Sequence, residues 1–172
     1  MTQVAIIILG QQSLPLARRI MAMLPEAVIY GMANRTTDVD IPFDNFGDTL
    51  RALFTDGTPI IGICAAGILI RTLAPLLSDK SNEPPVLAVA EDGSAVVPLL
   101  GGLQGVNDLA RQIADALHVA PAITTTRVAQ EFCDSLGPAW FLADWLAFGG
   151  DLTCSGGGVT IGGQACQGPN RQ

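Results

Sequence analysis

Two short apolar runs, each closing just before a helical pattern, limit how this chain can fold more than any other feature. Val4 to Leu9 is unbroken by any polar residue and ends at Gly10, and Pro59 to Cys64 is a second such run. Runs of this length without polar alternation describe strands covered on both faces, the usual condition of a parallel sheet flanked by helices. After the first run, Ser13 offers an N-cap and Pro15 a first-turn residue. Leu16, Ala17, Ile20, Met21 and Leu24 then recur on one helical face up to Pro25. The unit predicted is strand, loop, amphipathic helix.

The alternation continues along the chain. Ala27 to Tyr30 reads as a second strand, residues 34–45 as a polar loop, and Phe46, Leu50, Leu53 and Phe54 as a short helix ended by Asp56-Gly57. Ala65 to Leu77 is apolar almost all round with Arg71 its sole charge, which predicts a largely buried helix that Pro75 bends or ends. Val86 to Ala90 and Ala95 to Leu100 are strands joined through Glu91-Asp92-Gly93, a tight hairpin. Val106, Leu109, Ala110, Ile113, Ala114 and Leu117 form an amphipathic stripe. Ala122 to Thr125 reads as one more short strand, with helical patterns at 128–136 and 140–148 and a glycine-rich loose hairpin or disordered tail at 149–172. The fold class expected is α/β: a three-layer α/β/α sandwich with a mostly parallel sheet, flavodoxin- or Rossmann-like, over residues 1–125. Residues 126–172 are then a C-terminal extension, helical and then glycine-rich.

Charge narrows the function. Sixteen acidic residues against nine Lys and Arg give a net charge of −7, which works against a surface that tracks nucleic-acid phosphates. The apolar stretches fall short of the roughly 20 residues a membrane span needs, and Met-Thr-Gln before Val4 gives no basic start for a signal peptide. The setting expected is cytoplasmic. Cys64, Cys133, Cys154 and Cys166 are widely spaced and His118 is the sole histidine, so free thiols and no metal site are expected.

Four linked pieces carry the most information: GICAAGILIRTLAPLL from Gly62, SDK from Ser78, VLAVAEDGSAVVPLLGG from Val86, and the N-D-L-A helix start at Asn107. In this order and spacing, within the stretch of about 65 residues from Pro59 to Thr125, they resemble the N-terminal domain of the cobalt-precorrin-5A hydrolases, including versions fused to the precorrin-3B methyltransferase. The resemblance implies an enzyme of cobalamin biosynthesis that opens the δ-lactone of a ring-contracted corrin precursor and releases acetaldehyde. It implies no cofactor, cobalt entering only as part of a corrinoid substrate. A tetrapyrrole or corrin intermediate is the ligand it implies, and a precorrin methyltransferase or another pathway enzyme the partner. Two departures stand out. Where the family has a Gly-His pair, this chain has Gly102-Leu103-Gln104, and the family's C-terminal domain is not among these 172 residues. A lactone hydrolase profits from a group titrating near neutrality, so the chain alone is expected to be inactive or slow.

The candidate residues each admit a plainer use. Arg71 and Lys80 are cations suited to substrate carboxylates, or a structural ion pair and an ordinary surface lysine. Glu91 and Asp92, with Asp79 as a further choice, are candidate general bases, while Asp before Gly is also a turn residue. Cys64 is a thiolate at a helix start or a buried inert thiol. Gly101, Gly102, Gly105 and Asn107 form a glycine-rich helix entry whose free N–H groups suit a carboxylate or oxyanion, or a tight turn capped by Asn107 or Asp108. The spacing is not a dinucleotide fingerprint. His118 reads as a helix-end residue facing the dipole. Ligands of open parallel sheets sit beyond the carboxyl ends of the strands, which predicts Gly10, Cys64 and the Gly101–Gly105 loop on one edge of a cleft. Two other readings fit the fold: a non-catalytic corrin-binding scaffold, and a generic flavodoxin-like nucleotide binder.

Overall fold

The computed structural model describes residues 3–124 and, beyond them, the strand residues 152–155, 158–161 and 164–166. The chain divides into two compact units, Met1–Thr124 and Thr125–Gln172.

In the first unit, five strands run parallel in the order β3-β2-β1-β4-β5: β1 Val4–Ile8, β2 Ala27–Met32, β3 Ile41–Phe43, β4 Ile60–Ile63 and β5 Val86–Val89. A sixth, β6 Val96–Leu100, closes the sheet antiparallel to β5. Helices α1 Leu14–Met21, α2 Phe46–Thr55 and α3 Ala66–Leu73 link strands of the sheet, and α4 Val106–Leu117 follows β6.

The apolar runs build two cores because successive strand side chains point to opposite faces. Ile6, Ile8, Ile61, Ile63, Leu87 and Val89 meet Ala17 and Ile20 of α1 and Ala110, Ile113 and Ala114 of α4. Ala5, Ile7, Ile60, Val86 and Ala88 meet Leu50, Leu53 and Phe54 of α2 and Leu69 and Leu73 of α3. This is the three-layer α/β/α sandwich. Burying one such aliphatic side chain stabilises by about 1.5 to 3 kcal/mol, against about 1 kcal/mol for a helix cap. Among the described helices only α2 has a side-chain cap, Asn45 Oδ1 accepting from the Asp48 N–H at 3.1 Å. The strand runs, not the helix ends, therefore hold the domain.

Several expectations are corrected. β3 lies inside the stretch read as a loop, hidden because it is a three-residue edge strand containing Pro42. Ser13 does stand at the N-cap of α1, but makes no capping bond, and its buried Oγ has no partner. α3 is not largely buried. Only Leu69 and Leu73 are fully covered, Ile70 is 46% exposed and Arg71 is exposed, because α3 forms an outer layer that meets the sheet along one stripe. Pro75 falls in the 3-10 turn Ala74–Leu76, which ends it. After α4, His118 is the left-handed C-cap, and Pro121 forms one parallel bridge to Val96 in place of the expected strand.

The second unit contains a three-stranded antiparallel sheet, β7 Leu152–Ser155, β8 Gly158–Ile161 and β9 Gln164–Cys166, so a third strand joins the hairpin read at 149–172. The helical readings at 128–136 and 140–148 lie outside the described residues. Among the described residues no helix is long and apolar enough to cross a membrane.

Candidate functional site

The chain leaves β1 toward β2 on one side and later returns to place β4 on the other, so the strand order reverses between β1 and β4. The loops leaving their carboxyl ends diverge there and leave a crevice. The register Ile8↔Ile63↔Val89 brings the next residues of three strands to one level. These are Leu9, Cys64 and Ala90, and with Ala65, Ile68, Glu91 and Asp92 they line an open cavity of about 560 Å³. Gly62 lets α3 approach closely, since a Cβ there would lie 2.7 Å from Leu69 Cδ1. The start of α3 has no side-chain cap, and the N–H groups of Ala66 and Gly67 have no partner among the described residues. The cavity thus has apolar walls, two carboxylates at its mouth and uncapped backbone donors beside it.

The two carboxylates differ. Asp92 accepts from the Ser94 N–H at 3.0 Å and from the Ser94 hydroxyl at 2.6 Å, closing the turn before β6. These bonds, the hydroxyl first, hold its carboxyl below the usual range, so Asp92 is a firmly ionised turn residue. Glu91 makes no such bond among the described residues. Its charge reaches Cys64, which is 6% exposed. Burial, with the Glu91 charge adding to it, pushes the thiol up to about 11, so Cys64 is a neutral thiol at physiological pH. The nucleophilic thiolate reading fails because desolvation outweighs what a helix start supplies.

The glycine loop is elsewhere. β6 runs against β5, with Leu100 opposite Val86, so the Gly101–Gly105 loop lies at the amino ends of the parallel strands. That overturns the single cleft expected from Gly10, Cys64 and Gly101–Gly105. The loop packs on the segment before β5: a Cβ on Gly101 would lie 2.6 Å from backbone atoms of Pro84 and Pro85, and Gln104 Nε2 donates to the Ser81 carbonyl at 2.9 Å. α4 is capped by left-handed Gly105, φ 88°, not by Asn107 or Asp108, and Asp108 pairs with Arg111 at 2.8 Å. Leu103 is 55% exposed.

The residues picked from the sequence therefore part into groups. Glu91, Asp92 and Cys64 share the cavity. Asp79 and Lys80 lie with Gly101, Gly102, Gly105 and Asn107 toward the other end of the sheet. Asp79 accepts from the Ser81 N–H at 3.0 Å and from Asn82 Nδ2 at 2.7 Å, bonds that lower its carboxyl and make it a turn residue. Lys80 is exposed, and Arg71 lies exposed on the last turn of α3. Leu9, Ala65, Ile68 and Ala90 were missed as cavity walls. Leu9 and Ala90 were findable as the residues directly after strands of a parallel sheet. Among the described residues no cluster could hold a metal ion.

Residues 48–127 match the Cobalamin synthesis G N-terminal family. The chain is 39% identical to a cobalt-precorrin-5A hydrolase of Salmonella typhimurium over 130 residues, 74% of this chain and 37% of that protein. It is 27% identical to a cobalt-precorrin-5A hydrolase of Priestia megaterium over 134 residues, 74% of this chain and 36% of that protein. The chain thus spans little more than a third of the length of these curated relatives. The crystal structure of a cobalamin biosynthesis protein G homolog from Sulfolobus solfataricus shares the fold, with a TM-score of 0.52 at 21% identity over 74% of this chain and 39% of that one. Over residues 48–127 the chain therefore carries the Cobalamin synthesis G N-terminal domain and is similar there to proteins named cobalt-precorrin-5A hydrolase.

Proposed function

We propose that this chain acts in cobalamin biosynthesis on cobalt-precorrin-5A, and that the cavity between β1 and β4 receives the δ-lactone, with Glu91 as the general base. One observation carries the assignment: Glu91 is the carboxylate in the cavity that no turn has claimed. In this reading Glu91 takes a proton from water as the water oxygen attacks the lactone carbonyl carbon. The carbonyl oxygen, gaining negative charge, turns toward the N–H groups of Ala66 and Gly67, where the positive end of α3 favours an anion. The ring C–O bond then breaks, and Glu91 returns the proton to the departing oxygen. The hydroxyl so freed loses its proton as the C–C bond joining its carbon to the macrocycle breaks, so that the two-carbon fragment leaves as acetaldehyde and the macrocycle carbon takes up the proton. Water is the only co-reactant, so the step calls for no cofactor. The setting is the cytoplasm, and the corrin intermediate is the partner in the sense of a ligand.

The reading is supported by the walls: Leu9, Ala65, Ile68 and Ala90 offer the uncharged reacting end of the ligand an apolar surface beside Glu91. It is tested by acetaldehyde release from cobalt-precorrin-5A, with this chain alone and with the C-terminal part of the Salmonella relative added. Release by the native sequence and its loss in Glu91→Gln is expected. Equal release by both, or none from either mixture, overturns the reading, and binding without release returns the chain to the scaffold alternative.

A further inference from the structure

Opening a lactone changes the charge of what the cavity holds. Water adds its oxygen to the carbonyl carbon and the ring C–O bond breaks. One water proton ends on the departing oxygen as a hydroxyl, and the other leaves the new carboxyl group, which becomes a carboxylate. A neutral ester is thus replaced by an anion at the same position. Among the described residues no lining side chain offers that anion a counter-charge, and the uncapped N–H groups at the start of α3 are the favourable contact it keeps. Leu9, Cys64, Ala65, Ile68 and Ala90 are uncharged, and Glu91 and Asp92 are the charged lining residues. Lys80 lies toward the other end of the sheet, and Arg71 is on the last turn of α3, whose first turn faces the cavity. Asp92 cannot escape the encounter by protonation, because the two Ser94 bonds hold it ionised.

Resting on the lactone reading above, we propose that Asp92 is a specificity-determining residue: it lets the cavity accept the neutral closed ring and drives out the anionic opened one. Asp92 would then be neither base nor counter-ion. Its role is to make product release favourable by like-charge repulsion, and the turn that fixes its carboxylate fixes where the repulsion is felt. The same repulsion keeps the substrate's other carboxylates outside the cavity, so the ligand enters by its uncharged reacting end. Because the mouth is open to water, the effect is modest, on the scale of exposed charge pairs.

The test compares equilibrium affinities for cobalt-precorrin-5A and for its opened, acetaldehyde-free product, read from corrinoid absorbance. The background is Glu91→Gln, in which the closed ring is not turned over and Asp92 is the remaining lining charge. Adding Asp92→Asn, which keeps a side-chain acceptor for the turn, is expected to tighten product relative to lactone by about two- to fivefold. Adding Ser94→Ala, which breaks a turn bond but keeps the charge, leaves the ratio in place. Raising salt from about 0.05 to 0.5 M shrinks the difference that Asp92→Asn makes to this ratio. An unchanged ratio in Asp92→Asn overturns the proposal, as does an equal change in Ser94→Ala, which would make the effect one of turn shape. Asp92→Ser serves as the second neutral variant should Asp92→Asn lower the melting temperature. Loss of the lactone reading would appear separately, as no acetaldehyde from the native sequence.

Discussion

At the carboxyl ends of β1, β4 and β5 the chain leaves room, whereas at their amino ends backbone closes on backbone. Leu9, Cys64 and Ala90 step off three neighbouring strands around an open cavity, with Glu91 and Asp92 at its mouth. Gly101 instead lies so near Pro84 and Pro85 that a side chain would overlap main-chain atoms. Both ends contain an acidic turn, Asp92 with Ser94 and Asp79 with Ser81 and Asn82. The first of them lines the cavity, and the second lies in the segment on which the glycine loop packs. The comparison teaches that residue type does not mark the site here; position relative to strand direction does.

The largest effect that would break or sharpen this contrast is catalytic. Glu91→Gln is expected to lower lactone opening by about a hundred- to ten-thousandfold, the usual worth of a positioned base. Acetaldehyde release measures it, and a loss under about tenfold would move the chemistry away from this cavity.

At the amino end the largest expected effect is on folding. Gly101 has φ 79° and no space for a Cβ, while Gly102 has nothing within 4 Å. Gly101→Ala should cost about 2 to 4 kcal/mol and Gly102→Ala less than about 0.5 kcal/mol, read by urea unfolding. Equal values would mean that the loop is not clamped.

Cys64 makes the cavity end sensitive to alkali. Its thiol ionises near 11 in the folded state against an ordinary value of 9.0, so the unfolded chain loses the proton first. The contribution is fully present below pH 9 and is lost as pH rises through 11, on the order of 2 to 3 kcal/mol. Cys64→Ala should flatten the stability profile in that window. An identical slope in both proteins would place the thiol in contact with solvent.

The smallest effects belong to the exposed residues away from the cavity. Leu103→His, which supplies the histidine that the sequence resemblance implies there, should change lactone opening by less than about twofold, because the position lies beyond the far end of β6. Arg71→Ala and Lys80→Ala should each weaken corrinoid binding by no more than about fivefold, as exposed charges do. A large gain from Leu103→His would bring the amino end into the reaction and collapse the distinction.

The sandwich was legible because its signals are local. Unbroken apolar runs such as Val4 to Leu9 require cover on two faces, and the stripe from Val106 to Leu117 requires one, so layers follow from periodicity alone. The Asp92-Gly93 turn was legible for the same reason, and Gly93 takes φ 74° there. β3 was not, since three residues with a proline carry too little pattern. The exposure of α3 was not legible either: an all-apolar helix says what it would gain by burial, not whether another layer arrives to cover it.

What the sequence by itself determined is most of the strands and helices of the sandwich, the two-faced sheet and the family that its most informative stretch, Pro59 to Thr125, resembles. What only the tertiary structure decided is which candidates meet. The tight Glu91-Asp92-Gly93 turn reverses the chain, so β6 runs antiparallel and carries Gly101, Leu103 and Asn107 to the end of the sheet opposite Glu91. Residues about ten apart in a hairpin are separated by its strand length, about 10 Å or more, while Leu9, Cys64 and Ala90, far apart in sequence, are brought to one level by parallel pairing. Strand direction is a property of pairing, and pairing is settled by burial of the whole sheet.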